Sequence, residues 1–215
     1  YAASAFRWLR DVIWPDLPDQ SAYSLMDEAA AQAPPGSGGL IFHPHLMGQW
    51  APHWDEKRRG DFLGLTVRHS RAHLTRAVLE GVAFSLKDAL GEMESLGLKA
   101  EDIRLIGQGS RSSLWGHIVA NVLNRPLAIP EQTDAAYGSA LITAMGVNLI
   151  ARTAEALEEV IAIRARLEPD PAIAQDYRTL FDIYREADIA LQAVAARLDD
   201  FEHRQQGRRE QDWPL

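Results

Sequence analysis

Cysteine is absent from the 215 residues. That excludes disulfide bonds, thiolate metal sites and a cysteine nucleophile, and it suits a reducing, cytoplasmic setting. No apolar stretch approaches the ~20 residues that a spanning helix needs, so no membrane partner is expected. An excess of positive charge is also missing: 22 Lys and Arg against 30 Asp and Glu give a formal charge of −8. No global basic face is therefore offered to nucleic acid or anionic lipid. The basic groups Lys57-Arg58-Arg59 and Arg204, Arg208 and Arg209 read as solvated surface. There is no Walker A sequence, no His-Glu-x-x-His, no Gly-x-Ser-x-Gly and no internal repeat. The first residue is Tyr1 rather than methionine, which leaves room for a targeting segment or an entire domain before it.

What is present is enough chain for one large domain. Its centre is 103–130, where Ile103, Leu105 and Ile106 form a short apolar run that stops at Gly107. From Ser112 onward, Leu114, Trp115, Ile118, Val119, Val122 and Leu123 fall at helical spacing. Arg125-Pro126 breaks that helix, and Leu127 to Ile129 read as a second strand. A right-handed βαβ crossover results if the two strands are parallel neighbours. A strand feeding a helix through Gly107-Gln108-Gly109 leaves backbone amides unpaired at the positive end of the helix, where phosphate oxygens or ribose hydroxyls are natural partners. Gly107 and Gly109 can take positive φ and admit a ligand close to the backbone, while Ser110 and Ser112 can cap the helix and donate to a ligand. Such turns also close helices that bind nothing, and both readings stand at this level.

Around this unit, helices are expected at 5–14 and 20–33, a Pro/Gly loop at 33–39, and strands at 40–46 and 60–68. Ser70 should cap a long helix ended by Gly97. His69 and His73 stand four apart, but His69 precedes the cap and no third ligand joins them, so they are not read as a metal site. Asp134 should cap a small-residue helix, and Thr153 should open an amphipathic helix carrying Leu157, Val160, Ile161 and Leu167 on one side. A last helix is expected from beyond Pro171 to about 203, followed by a polar, frayed tail. The loop Gly48 to Asp55 holds Trp50, Pro52, His53 and Trp54, and either lines a cleft or folds back on the core. The pattern as a whole is α/β.

Particular stretches resemble a known family. Gly60-Asp61-Phe62-Leu63-Gly64-Leu65, seven residues, then His73 to Glu80 (HLTRAVLE) is similar to the second signature of the FGGY carbohydrate kinases. Ser4 to Asp11, 43–60, 107–115 and 135–146 resemble further segments of that family in the same order, so that the likeness covers about residues 3–200. The Pro-His-Trp-Asp segment is most similar to the xylulokinase (pentulose kinase) branch. The resemblance implies a ribonuclease H-like domain of the actin and sugar kinase type, with a mixed sheet flanked by helices and long C-terminal helices. It implies residues 1–203 as the C-terminal nucleotide-binding domain, 204–215 as a polar tail, and a sugar-binding N-terminal domain absent from this chain. It further implies ATP and Mg2+, a ketose substrate and a cleft between two domains, in which Pro52, His53 and Trp54 would lie. Nucleotide-facing positions of the family fall on Ala3, Arg7, Gln108 and Ser112. Ala3 stands where glycine is common, and Gln108 where the turn commonly has its second glycine. The family's sugar-deprotonating aspartate would precede Tyr1, so this chain alone is expected to be inactive. Asp55 and Asp134 are the nearest acidic candidates, with neither assigned to the base's role. The readings that follow are a γ-phosphoryl transferase to a ketopentose such as D-xylulose, a non-catalytic actin-like nucleotide-binding module, or a helical scaffold whose last helix pairs subunits in a homodimer.

Overall fold

Helix α3 (Arg71–Ser95) is the element against which the two helices and the first strand before it and the next helix after it pack. Every residue from Thr75 to Phe84 is buried, so this stretch is covered on all sides rather than along one stripe. Ser70 precedes it as expected, and the Ser70 amide donates to His73 Nδ1 at 3.3 Å. His69 is likewise engaged locally, accepting from the Thr66 amide at 2.9 Å. The computed structural model describes residues 2–19 and 21–212, with side chains for 4–19 and 21–205.

Helices α1 (Ala2–Ile13) and α2 (Ala22–Ala31) and strands β1 (Ile41–His43) and β2 (Asp61–Leu63) come before α3. After it follow α4 (Ser113–Leu123), β3 (Leu127–Pro130), α5 (Ala135–Gly146), α6 (Ala154–Val160), β4 (Ile163–Leu167) and α7 (Pro171–Asp212). β1 is buried along its length and lies directly on α3. A Cβ on Gly81 would stand 2.9 Å from the Phe42 carbonyl carbon, so helix and strand meet backbone to backbone.

A buried polar network fixes α7 to this centre. Glu80 Oε1 accepts from Arg76 Nε at 2.7 Å, from the Tyr177 hydroxyl at 2.7 Å and from the Gly36 amide at 2.9 Å. Its Oε2 accepts from Ser37 Oγ at 2.7 Å, and Arg76 also donates to the Ala33 carbonyl at 3.1 Å. A charge pair this deep is tolerable because its lone pairs and N–H groups are taken up. Burial and the Glu80 charge raise the Tyr177 hydroxyl far above its ordinary pKa. Arg76 and Glu80, both within the HLTRAVLE run, thus serve packing.

Several expectations change. The expected mixed sheet takes the form of two antiparallel pairs, β1 with β2 and β3 with β4. Residues 103–106 make no strand; their parallel contact with β3 is one bridge, Arg104 to Ala128, closed by Leu105 N to Ala128 O at 2.9 Å and Ala128 N to Ile103 O at 2.9 Å. The strand expected over 60–68 is confined to Asp61–Leu63. The helix read from Thr153 through Leu167 stops at Val160, and Ile163–Leu167 pairs with β3 instead, its burial alternating residue by residue. α7 runs to Asp212 rather than about 203, so the tail expected to fray is helical to that point, while 213–215 lie outside the described residues. Among the described residues no helix is long and apolar enough to cross a membrane.

Candidate functional site

The corner between residue 106 and α4 is built from three sides. Gly107 has φ 79° and ψ −171°, which only glycine adopts without strain, and no atom lies within 4 Å of where its Cβ would sit. The corner is therefore open at Gly107. Gln108–Arg111 then form a single 3-10 turn. Inside it, Ser110 is buried and donates its hydroxyl to the Gly107 carbonyl at 2.7 Å. Ser112 is the N-cap of α4, accepting from the Trp115 amide at 3.0 Å. The amides of Ser113 and Leu114 have no partner within the helix. Gly109 does not take positive φ; a Cβ there would sit tight against the Trp115 indole at 3.0 Å, so any larger residue would make the ring shift. Ser110, expected as a helix cap, instead stabilises the turn.

The outer supports come from residues far away in sequence. The Gly107 amide donates to the Thr133 carbonyl at 2.9 Å, and Arg164 Nη2 donates to the Ser110 carbonyl at 3.0 Å. Asp27, on α2, faces the Ser112 hydroxyl. Its Oδ1 is sealed from solvent with no hydrogen-bond partner, and burial pushes this carboxyl above the usual range against the pull of Ser112. A carboxyl held toward its neutral form presents less repulsion to a phosphate than an ionised one. Neither Asp27 nor Arg164 is marked by a motif. Arg164 lies in the alternating run I-R-A-R-L, whose period of two was the available signal.

Arg7 is exposed on α1, which is held to α2 by Phe6 stacked on Tyr23 at 5.7 Å. The backbone of Ala3 falls within α1, but its side chain lies outside the described residues.

The second cluster, Pro52, His53 and Trp54, has different supports. Gln49 and Asp55 pair backbone to backbone, closing a loop in which Trp50 and Trp54 meet edge to face at 4.5 Å. Trp54 is 62% exposed and Trp50 48%, so the pair faces outward rather than into the core. Behind them the loop is fastened to α7. Arg58 pairs with Asp188 at 2.9 Å, Lys57 with Asp200 at 3.2 Å, and Arg59 with Asp199 and, at 3.3 Å, Glu202. Arg58 is 6% exposed, so the basic run read as solvated surface is in part a buried anchor. His45 Nε2 meets Asp188 at 3.1 Å, and its hydrogen bond with the neighbouring cations holds the Asp188 carboxyl below its usual range despite burial. Beneath lies His43, with Asp61 at 3.0 Å from Nδ1 and the Tyr184 carbonyl at 3.0 Å from Nε2. Burial alone would lower its pKa, but Asp61 outweighs it and the net direction is up.

Neither acidic candidate has the setting of a base. Asp134 caps α5 by accepting from Ala136 N at 2.8 Å, and Asp55 accepts from Lys57 N at 3.0 Å and pairs with Arg58 at 3.5 Å. Among the described residues no three His, Asp or Glu side chains converge as a metal cage. The arrangement can receive an anionic or hydroxyl-bearing ligand at Gly107 and present aromatic surface at the loop.

Comparison with known proteins gives concordant matches. Residues 1–147 match the C-terminal domain of the FGGY family of carbohydrate kinases. The xylulose kinase of Bacillus subtilis (strain 168) is 31% identical over 169 residues, covering 78% of this chain and 34% of that protein. The gluconokinase of the same organism is 31% identical over 163 residues, covering 75% and 32%. Among solved structures, the ligand-bound xylulose kinase from Lactobacillus acidophilus superposes with a TM-score of 0.80 at 29% identity, over 91% of this chain and 39% of that one. The chain thus spans about a third of the length of the curated relatives it matches.

Proposed function

The chain belongs to the FGGY family of carbohydrate kinases, matching its C-terminal domain, and from that premise we propose that it is the nucleotide-bearing part of an ATP-dependent kinase for a ketopentose such as D-xylulose. One observation carries the reading: the open corner at Gly107, on the N-terminal side of α4, in a chain whose relatives include kinases. The backbone is bare of a side chain and open there, so a phosphate or ribose can approach it. Gly107, Gln108, Gly109 and Ser112 would hold the nucleotide with Asp27 behind the cap, and the family resemblance adds Arg7 and Ala3 of α1. Ser110 would keep the turn in shape. ATP supplies the γ-phosphoryl group, and Mg2+ fits best as a cation carried by the phosphates, since the described residues form no cage for it.

The ribonuclease H-like description of the fold belongs to this proposal, as does a sugar-binding domain N-terminal to this chain that would supply the base. Pro52, His53 and Trp54 would then face that domain across a cleft. A soluble cytoplasmic enzyme is the setting that the cysteine-free composition suits. Of the possible substrates, a pentulose is favoured by the Pro-His-Trp-Asp segment and the xylulose kinase relatives, with gluconate the competitor. The test is sugar-stimulated ADP release by the polypeptide that carries this chain at its full encoded length. D-xylulose should give the greatest turnover; a preference for gluconate would correct the substrate, and no stimulation by any pentulose, gluconate or glycerol would overturn the kinase reading.

A further inference from the structure

We infer that Arg164 is a positioning residue for nucleotide binding, holding the Gly107–Ser112 turn in its receptive shape from the far strand β4. The inference rests on the reading of that turn as the nucleotide site. Its first observation is the register of β3 and β4: Ile129 stands opposite Ala165 and Pro130 opposite Ile163, so Arg164 is the extra residue of a bulge. A bulge re-aims the side chain it carries, and here the guanidinium reaches Ser110, 54 positions away in sequence, at 3.0 Å from its carbonyl oxygen. The second observation is where that carbonyl lies. Ser110 is the buried residue of the 3-10 turn, its hydroxyl already closing on Gly107, so holding its carbonyl braces the middle of the turn and, through that hydroxyl, its Gly107 end. Arg164 donates to the turn's backbone from outside 107–115. Two further links come from outside it: Gly107 N to Thr133 O, which runs backbone to backbone, and the Asp27 carboxyl facing the Ser112 hydroxyl at the other end.

Without Arg164 the turn keeps its local hydrogen bonds and the backbone link to Thr133 but loses its side-chain tie to β4. Its amides would then be ordered only when nucleotide binds, and that ordering would weaken affinity rather than stability. The probe is MgADP titrated calorimetrically into the polypeptide that carries this chain at its full encoded length. Arg164→Ala should raise the dissociation constant about tenfold, equivalent to about 1.4 kcal/mol, with the KM for sugar changed by less than about twofold. Arg164→Lys should recover part of the affinity, because it keeps the charge and one donor. The unfolding midpoint should stay near that of the parent, which separates positioning from a structural role. An unchanged MgADP affinity in Arg164→Ala overturns the inference, and so does a loss that appears only with a lowered midpoint. A Gly107→Ala variant distinguishes the two levels. If it weakens MgADP binding while Arg164→Ala does not, only the role of Arg164 fails; if neither weakens it, the turn is not the nucleotide site.

Discussion

Two glycines on α3 make opposite predictions for the same added methyl group. Alanine is favoured over glycine in a helix interior by roughly 0.8–1.0 kcal/mol. At Gly91, which is exposed and has no atom within 4 Å of the Cβ position, Gly91→Ala should realise most of that gain and stabilise the fold by about 0.5–1 kcal/mol. At Gly81 the methyl would meet the Phe42 carbonyl carbon at 2.9 Å and Phe42 Cβ at 3.2 Å, with the carbonyl oxygen closer still. Relaxed carbon contacts need roughly 3.5–4.0 Å, so β1 would have to retreat from α3 by about 1 Å or more. The obstruction is backbone, not the end of a flexible side chain, and Phe42, Val78 and Phe84 around it are almost free of solvent. Overpacking of this kind costs about 1–3 kcal/mol and more where main chain must move, so a net loss above about 2 kcal/mol should remain after the helical gain. Urea unfolding of the two variants, with matching m-values, reads both signs directly. If both midpoints move in the same direction, the direct seating of β1 on α3 is refuted.

Glu80→Gln keeps shape but removes the charge facing Arg76, and should cost about 3–5 kcal/mol, the scale for breaking a buried pair; a shift below about 1 kcal/mol in urea would show the network to be expendable. The pH dependence should carry the signature of His43. Its folded pKa is raised, so its stabilisation is complete below the unfolded value of about 6.5 and is lost as pH rises through the folded value. The urea midpoint should therefore fall as pH rises above about 6.5, and His43→Asn should flatten that fall; a midpoint that rises there contradicts the pairing with Asp61. The 215-residue chain alone should release no ADP in response to sugar, and turnover by it would place a base within these residues.

Periodicity and capping chemistry carried most of the helices. Ser70, Ser112, Asp134 and Thr153 all stand where helices begin, because short polar side chains beside an apolar stripe have few other uses. Strand pairing was much less legible. Val160, Ile161 and Leu167 also fit a three-to-four spacing, so Ile163 to Leu167 reads as helix in the sequence, and its partner β3 decides the matter. The same misreading hid Arg164. At the candidate site, the residues local to the turn were readable from glycine and serine chemistry, whereas Asp27 was not, since its setting is made by α2 docking near α4 and not by any neighbour in sequence. Arg58 misled for the complementary reason: a basic run looks solvated until a carboxylate such as Asp188 arrives from 130 residues away.

Because Arg58, Lys57 and Arg59 close on Asp188, Asp199, Asp200 and Glu202 of one helix, the loop that presents Trp50 and Trp54 inherits its shape from the winding of α7. From Asp188 to Glu202 that rod advances about four turns, ~21 Å. A single residue inserted between the near and far anchors would rotate the latter by ~100° about the axis, unhooking half the loop while leaving the interior intact. Seven inserted residues would nearly restore the phase but stretch the span. The C-terminal rod should therefore accept changes of residue far more readily than changes of length.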